Sequence, residues 1–515
     1  MSQAKPQVEA RRGALFTLVT CVTRVTCVTG VTGLLLALSL VAAGCGGGGQ
    51  PQRKQTVLAT DFDDAKVGEE SARGMAAEMG IVDDPVLTRY VEKIGMRMVP
   101  FAPIRPFVYK FHVVDQSAPN AFALPGGYIY ISRGLLTLVN SEDELACVVG
   151  HEITHAAERH AAGRQEYMRR MNPLAMGYLR YGQIQAYGRE HERDADRGGQ
   201  IIASRAGYDP MGMAKFMQDL DAMTRLELGW SRLPSFFDSH PSSPERAATA
   251  AQRAQSLSWI PQPHVARTQE DFLHKLEGLV LGNDPKEGVF RGETFLHPDM
   301  NFALRFPDGW QLVNSRRAVG AIEPHGDAMI SMTVAGPGDD PEAAAQLFIH
   351  GELRQARGQV TRAQSIRVGD YEAYRIEIEV GAVKTGGHLT FLAHEGMIYR
   401  IDTISRAGKV SQFEGRGRAV VRSFRGLTPE ERESFKIVTL GLAKAMEGEP
   451  LAALSARSGN ALDLGTTAVL NDMHIDTRLR EGQLVKIGVA TPYVPEAATP
   501  PEPHDVDKRS SQGGV

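Results

Sequence analysis

The sequence feature that most constrains the fold is a pair of histidines four residues apart, since residues 151–155 read His-Glu-Ile-Thr-His. Ser141 followed three residues later by Glu144 is a capping-box signature for a helix start, and no strong helix breaker other than Gly150 follows before Gly163. The pattern predicts that the motif lies inside a helix. Side chains four positions apart on a helix lie about 40° apart around its axis, so both imidazoles can meet one metal ion. Two exposed helical histidines without a ligand are the alternative.

A catalytic zinc site needs a third protein ligand and an open position for water. A second helix is predicted from about residue 189 to 207, and its stretch 192–196 reads Glu-Arg-Asp-Ala-Asp, so a carboxylate is available. In the metzincin pattern a glycine and a third histidine would stand where this chain has Glu158 and Ala161. The gluzincin arrangement, with two histidines and a carboxylate from the next helix, is therefore favoured.

The residue types of this motif predict a hydrolytic site with one zinc ion per chain. Two neutral imidazoles, from His151 and His155, and one carboxylate would leave the ion an open position and lower the pKa of a bound water towards about 7. Glu152 could take the proton of that water as general base and pass it to the leaving amine of a cleaved peptide. Asp196, one helical turn beyond Glu192, could fix a ligand imidazole or be an exposed helical carboxylate.

Several further segments resemble the ordered motifs of one superfamily. In their order along the chain they are similar to the HtpX, BepA and CAAX-prenyl-endopeptidase superfamily of zinc peptidases, over roughly residues 60–255. The matching segments are 120–127 (Asn-Ala-Phe-Ala-Leu-Pro-Gly-Gly), 133–136 (Arg-Gly-Leu-Leu), 144–146 (Glu-Leu-Ala), the zinc motif with His160 behind it, 192–196, and His240-Pro241 through Arg246.

The resemblance implies that Glu192 is the third metal ligand and that residues 120–124 form a strand at the edge of the cleft, to which an extended peptide could add. Apart from the resemblance, Asn120 before a strand is typical of a turn. The membrane-embedded relatives carry several transmembrane helices, whereas this chain has no comparable apolar run after residue 45. It therefore resembles the soluble, periplasmic branch, for which unfolded or misassembled envelope proteins are the expected substrates.

His240 lies in a loop rich in Ser and Pro, residues 233–244, that leads to a predicted helix with Arg246. We predict that His240 reaches the zinc site. Its imidazole could close the open coordination position until the loop moves, or it could stabilise the oxyanion beside Arg246. The alternative is a loop histidine that caps the helix after Pro244.

The fold class expected for the whole chain is α+β. A mainly helical zinc peptidase domain with a small β-sheet is predicted at 61–255, and a linker at 256–289. Residues 290–428 are predicted to form a separate α+β domain, because apolar and polar side chains alternate in segments such as 374–380.

The last part of the chain resembles a LysM module in part. The block 435–489 carries Leu470-Asn471 and the segment 479–487, which fit the module, but Gly448-Glu449-Pro450 stands where Gly-Asp-Thr is usual. Peptidoglycan binding and a merely structural role both stay open. The tail 490–515, rich in Pro, Ser and charge, is predicted to be disordered.

The N-terminus is predicted to be a lipoprotein signal peptide, residues 1–44. Arg11, Arg12 and Arg24 lead into an uncharged run that ends in small residues before Cys45, as at the cleavage site of a bacterial lipoprotein. Cys45 is therefore the predicted lipidation site, and residues 45–60 a flexible tether. A plain membrane anchor is the alternative, because the run 25–43 is nearly long enough to span a bilayer.

Charge excludes one class of partner. The chain has a formal net charge of −4, and without its first 44 residues it keeps 53 basic and 60 acidic residues, a net charge of −7. No nucleic-acid partner is expected for such a surface.

Together these features predict an exported zinc endopeptidase for protein quality control, lipid-anchored in the bacterial envelope on the periplasmic side, at the outer membrane. Two alternatives remain: a chaperone-like or scaffolding lipoprotein with latent peptidase activity, and a cell-wall-binding lipoprotein.

Overall fold

The structure is a computed structural model that describes residues 60–161, 178–226, 240, 244–381, 385–406 and 408–495. The predicted signal peptide, Cys45, the tether up to residue 59 and the tail from residue 496 lie outside these ranges. Within them, the structure contains no helix that is both long enough and apolar enough to cross a membrane.

The first half of the described chain is mainly helical, as predicted. Ser132, Ser141 and Thr268 each accept a hydrogen bond from a backbone amide of the helix that follows, which satisfies a donor that a helix start leaves free. The helices are α1 (Asp61–Met79), α2 (Pro85–Met98), α3 (Arg133–Leu138), α4 (Glu142–Ala157), α5 (Tyr178–Arg205), α6 (Gly212–Leu226), α7 (Pro244–Ser256) and α8 (Gln269–Leu276).

A small sheet packs beside these helices. Its strands are β1 (Lys110–Val114), β2 (Ala121–Leu124) and β3 (Tyr128–Ser132), in the spatial order β1-β3-β2. β3 pairs parallel with β1 and antiparallel with β2. Gly126 and Gly127 form the β2–β3 turn with φ of +79° and +85°, a conformation that other residues seldom adopt. β2 is therefore an edge strand, and it contacts α4.

The helix α4 is central to this part of the molecule. It is buried on almost every side, and Leu145, Val148, Val149 and Ile153 have no exposed surface. Its neighbours are α2, α5, α6 and the strands β2 and β3. A helix that is buried all round has its position fixed by the whole core, so the motif it carries is held rigidly.

The segment 256–289, predicted as a linker, contains helix α8 and contributes Phe272 and Leu276 to the same core. Glu142, at the start of α4, binds the first part of this segment. Its buried carboxylate accepts hydrogen bonds from the amides of Val265 and Ala266 at 2.6 and 2.7 Å. It also accepts one from Tyr90 Oη at 2.7 Å. The segment is therefore packed onto the helical region.

A separate antiparallel β-sheet domain follows, within the predicted range 290–428. A seven-stranded sheet has the order β10-β11-β12-β13-β9-β8-β7, and a four-stranded sheet has the order β14-β6-β5-β4. Helices α9 (Pro341–Phe348) and α10 (Val410–Arg422) pack on the larger sheet. The strands are β4 (Val289–Arg291), β5 (Thr294–His297), β6 (Phe302–Arg305), β7 (Gln311–Asn314), β8 (Ala318–Ile322), β9 (Ala328–Pro337), β10 (Gln359–Val368), β11 (Tyr371–Val380), β12 (Thr385–His394), β13 (Met397–Arg406) and β14 (Arg425–Gly426).

The C-terminal block has the order strand, helix, helix, strand, after a short helix. β15 (Lys436–Lys444) pairs antiparallel with β16 (Leu484–Pro492). β16 runs three residues past residue 489, the predicted end of the block. The elements are α11 (Pro429–Glu433), β15 (Lys436–Lys444), α12 (Leu451–Arg457), α13 (Leu464–Leu470) and β16 (Leu484–Pro492).

This block is docked on the helical region through a buried lysine. Lys486 of β16 has no exposed surface, and its Nζ donates to the carbonyl oxygens of Thr137, Leu138 and Val139 at 2.9, 3.1 and 3.1 Å. These carbonyls lie at the end of α3, where a helix leaves acceptors free. The ammonium group therefore joins the two parts.

We expect Lys486→Met to lower the free energy of unfolding by about 1–3 kcal/mol, because three buried carbonyl groups lose their donor while the apolar stem is kept. Urea unfolding of the full chain, followed by circular dichroism, measures this. Lys444→Met, which changes an exposed side chain at the end of β15, is the matched control and should have an effect under about 0.5 kcal/mol. Equal effects of the two substitutions would contradict the docking role.

Candidate metal centre

Two helices bring the predicted ligands together: α4 carries His151 and His155, and α5 carries Glu192. The helices approach closely where Gly150 faces Gly199. A Cβ on Gly199 would lie 2.6 Å from the His151 amide nitrogen, and a Cβ on Gly150 would lie 2.9 Å from the Gly199 carbonyl oxygen. Both distances are shorter than a Cβ contact allows, so this approach requires glycine at both positions.

The donor atoms of these side chains converge on one point. Nε2 of His151 and Nε2 of His155 are 3.0 Å apart, and each lies 3.5 Å from an oxygen of Glu192. One donor atom from each of these three residues and one from His240 all lie within 4.8 Å of one another. Ligands held about 2.0–2.2 Å from a tetrahedral ion have mutual distances of this size.

The set also fits a metal ion by its chemistry. His151 and Glu192 are buried, and Glu192 Oε1 has no hydrogen-bond partner among the described residues. A buried carboxylate oxygen without a donor is costly, and a bound cation removes that cost. Two imidazoles and a carboxylate are the donor set of gluzincin-type zinc sites.

Burial and neighbouring charges set the protonation of the ligands. Burial lowers the pKa of His155 well below its ordinary value, and His151 beside it lowers this pKa further, so the ring is neutral. Burial alone would raise the pKa of Glu192, but His240 and His151 outweigh it and hold the pKa well below the ordinary value, so the carboxylate is ionised. A neutral imidazole and an ionised carboxylate are the states that bind metal.

His151 has a different environment. Burial opposes its charged form, but the contacts with Asp196 and Glu192 outweigh burial and raise the pKa of His151 to about 10. A metal ion binding at Nε2 therefore displaces a proton. The other ring nitrogen, Nδ1, lies 3.1 Å from Asp196 Oδ1, so Asp196 contacts this ring at its second nitrogen.

Arg246 holds that carboxylate from the other side. Its Nε and one terminal nitrogen donate to the two oxygens of Asp196 at 2.8 and 2.7 Å, which is a bidentate pair. The same terminal nitrogen lies 3.3 Å from Glu192 Oε2, and the other donates to the His240 carbonyl oxygen at 3.3 Å. Arg246 thus contacts α5 and the backbone at His240, and lies next to the cluster.

Glu152 lies beside the cluster and is not one of its donors. Its side chain has no exposed surface, and Oε1 is 3.6 Å from His240 Nε2. Burial raises the pKa of Glu152, although His240 and His151 partly offset the rise. A carboxyl group with a raised pKa and a position next to the ligands is suited to accept and return a proton.

His240 is the predicted site residue whose position depends most on tertiary structure. Its Nδ1 lies 2.9 Å from Glu192 Oε2 and 3.2 Å from His151 Nε2. The side chain is buried. His240 therefore lies at the cluster, and most of the loop 233–244 lies outside the described residues.

A residue to which sequence analysis gave no chemical role also contacts a ligand. His160 Nδ1 lies 2.8 Å from His155 Nδ1, and the His160 ring stacks on His191 with 4.1 Å between centroids. The backbone turns back at Arg159, which has φ of +55° and whose guanidinium pairs with Asp64 of α1. The spacing of His160 behind the zinc motif was the one available signal, and it does not reveal this turn.

Asn120 lies at the start of β2 and outside the donor cluster. Its amide donates to Ser132 Oγ at 2.8 Å, its carbonyl oxygen accepts from the Ser132 amide at 2.8 Å, and its side chain donates to Gln116 Oε1 at 3.3 Å. These bonds fix the start of the edge strand beside α4. The residue supports the strand that flanks the motif helix.

Comparison with known proteins finds a family match in the helical region. Residues 85–182 and 171–254 match the family model of Peptidase family M48. The residues at the cluster, His151, Glu152, His155, Glu192 and His240, all lie within this span.

Two of the similar curated proteins are peptidases. The β-barrel assembly-enhancing protease of Escherichia coli (strain K12) is 29% identical over 232 residues, which cover 40% of this chain and 46% of that protein. The mitochondrial metalloendopeptidase OMA1 of Schizosaccharomyces pombe is 27% identical over 202 residues, 36% of this chain and 57% of that protein. The chain thus spans about half the length of the curated relatives it matches.

A similar solved structure is the solution structure of cyanobacterial PsbP (CyanoP) from Synechocystis sp. PCC 6803. The superposition covers 27% of the present chain and 95% of the PsbP chain, with 12% sequence identity and a TM-score of 0.22. The helical region, in contrast, combines the family match with the converging donors. It is therefore similar to the metallopeptidases of Peptidase family M48, and within it His151, His155 and Glu192 form a candidate metal-binding cluster typical of the zinc peptidases of that family.

Proposed function

We propose that this protein is a zinc-dependent endopeptidase that hydrolyses peptide bonds of bacterial envelope proteins. The observation that carries the proposal is the convergence of His151, His155 and Glu192, with Glu152 buried beside them and outside the donor set. This is the arrangement that separates metal ligands from a general base.

Each residue of the site has a distinct task in this reaction. Zinc held by the three ligands would supply a Lewis acid that acidifies a water molecule and polarises the peptide carbonyl. Glu152 takes the proton of the water and returns it to the leaving amine, which its burial-raised pKa favours. Asp196 and His160 orient the two ligand rings by contacting the Nδ1 atoms, which leaves Nε2 of each ring towards Glu192.

The substrate peptide would bind along β2. This strand is at the edge of the described sheet and contacts α4. An extended peptide can add to such an edge through main-chain hydrogen bonds, and it would then pass the residues of the motif. Hydrogen bonding through the backbone suits a peptidase that accepts many unfolded sequences.

His240 would close the site in its resting state. Its Nδ1 is near Glu192 and His151, where it would act as a fourth ligand in place of water. Movement of its loop would then open the site. The alternative is that the ring stabilises the charge on the attacked carbonyl, with Arg246 next to it.

The cellular setting is proposed from the N-terminal sequence and from the similarity to the β-barrel assembly-enhancing protease. We place the protein on the periplasmic side of the envelope, lipidated at Cys45 and attached to the outer membrane, where it would remove unfolded or misassembled proteins. The C-terminal LysM-like block could add contact with peptidoglycan. A scaffolding lipoprotein with latent peptidase activity and a cell-wall-binding lipoprotein remain the alternatives.

Glu152→Gln is expected to lower kcat on casein by about 10²- to 10⁴-fold and to keep the zinc, because it removes the base and spares the ligands. Glu192→Ala is expected to lose both zinc and activity, since the tetrahedral site is then incomplete. Metal analysis and a protease assay on the same samples distinguish the two results. Glu158→Gln, an exposed side chain at the end of α4, is the control and should match the wild type. Full turnover by Glu152→Gln would exclude this mechanism.

His240→Ala is expected to raise casein hydrolysis severalfold with zinc retained, because a ring that blocks the open position is removed. The initial rate and the zinc content are measured together. A fall in rate with zinc unchanged would instead assign His240 to stabilisation of the oxyanion, and no change in either would show that the ring only supports the loop. His274→Ala, on the exposed side of α8, serves as the control.

Metabolic labelling with a fatty-acid probe tests the anchor. The wild type is expected to be labelled, and Cys45→Ser is expected to lose the label, because the thiol of Cys45 is the acceptor for the lipid. Wild-type protein that is bound to membranes without any label would indicate a plain N-terminal membrane anchor.

A further inference from the structure

The end of α2 and the segment between α2 and β1 expose several large apolar side chains. Four of them, Met96, Phe101, Ile104 and Val108, are exposed by 44, 39, 98 and 72%. They fall within thirteen residues of chain. Single exposed apolar residues are normal on a protein, but such a concentration marks a surface that contacts something else.

The same segment is positively charged. Residues 93–114 contain Lys93, Arg97, Arg105 and Lys110 and no aspartate or glutamate, whereas the whole chain has a net charge of −4. Lys93 and Lys110 are exposed. With the adjoining Glu92 and Asp115 included, residues 92–115 keep an excess of two positive charges. Basic side chains next to exposed apolar ones are complementary to an anionic, apolar partner.

The segment is anchored to the body of the protein, because Ala102 and Tyr109 are buried in its hydrophobic core. Pro100, Pro103 and Pro106 restrict its backbone. Arg105 Nε donates to the Ala157 carbonyl oxygen at 2.5 Å, which ties the segment to the C-terminal end of the motif helix α4. Its tip residue, Ile104, is nevertheless almost fully exposed, so the side chain projects from the surface and does not line a groove.

We propose that residues 96–108 form a membrane-docking loop that inserts Ile104 and Val108 into the interfacial layer of an anionic bilayer. Projecting apolar side chains enter the boundary between headgroups and acyl chains, while flanking lysine and arginine side chains bind anionic lipid headgroups. A site for an apolar peptide would instead be concave and would bury the side chains that line it.

The loop is distinct from the lipid anchor proposed at Cys45, and its binding does not require peptidase activity. Because Arg105 contacts the residue that ends α4, docking of the loop would place the C-terminal end of that helix at the bilayer surface. His155 lies two residues before this end. The metal centre would then face proteins at the membrane surface. A flexible N-terminal tether alone would not fix this orientation.

Tryptophan quenching locates the loop in the full-length protein. Ile104→Trp adds an emitter to the three native tryptophans, and the full chain is reconstituted into vesicles whose acyl chains carry bromine, a contact quencher. We expect the added emission to be quenched in vesicles with phosphatidylglycerol, and much less in vesicles of phosphatidylcholine alone. Leu347→Trp, at a residue exposed by 77% in the β-sheet domain, is the matched control and should not be quenched.

The charge requirement is measured in the same system. Lys93→Gln is combined with Ile104→Trp. It is expected to lower the ratio of protein with the loop inserted to protein with the loop free by about fivefold, which is the effect of one basic residue at an anionic surface. Lys436→Gln, at an exposed lysine of β15, should leave it unchanged. Quenching at position 104 no greater than at position 347 would overturn the proposal. Shielding of position 104 by an unfolded protein and not by vesicles would overturn it in favour of a protein-binding surface.

Discussion

The close packing of α4 against α5 is the constraint on which the rest of the site depends. Gly150 and Gly199 face each other, and a methyl group at either position would meet backbone atoms of the other helix. This contact sets the distance between the two helices, and so the distance from Glu192 to the two histidines. Glycine inside a helix is about 1 kcal/mol less favourable than alanine. Here glycine is needed because no other residue allows the two helices to come so close.

A network of charges then fixes the side chains on these two backbones. Arg246 holds Asp196 by two hydrogen bonds, and Asp196 in turn lies against the ring of His151. Because Arg246 also donates to the His240 carbonyl oxygen, the same guanidinium joins α5 to the segment that brings His240 to the site. Burying this arginine has a desolvation cost, which its hydrogen bonds to two carboxylates and a carbonyl group help to offset. The same bonds couple the position of His240 to the orientation of a ligand.

The sequence predicted the residue types at the site better than the contacts that surround them. The spacing of His151 and His155 and the capping box before them locate a helix and two ligands, because both patterns are local. The contact between His155 and His160 could not be predicted, since it depends on a left-handed residue, Arg159, that follows the end of α4. The position of His240 was inferred from chemistry, and its distances to Glu192 and His151 come only from the tertiary fold.

In the wider fold, too, local patterns could be predicted from the sequence and long-range contacts could not. The sequence predicted an α+β fold with a mainly helical region and a later α+β domain, and the structure contains a helical region and a separate antiparallel β-sheet domain. The segment 256–289 was predicted to be a linker. Glu142 binds two of its amides and α8 contributes to the core, through contacts that are distant in sequence. The docking by Lys486 was not foreseen for a similar reason: a lysine in a strand is typical of an exposed edge, and its partners are 347 to 349 residues away in sequence.

The most direct test of the metal centre is X-ray absorption at the zinc edge on the purified full-length protein, together with its zinc content. The account predicts one zinc ion per chain, with nitrogen and oxygen neighbours at about 2.0–2.2 Å and the scattering pattern of two or three imidazole rings. Absence of stoichiometric zinc, or a spectrum dominated by sulfur or by water alone, would contradict it.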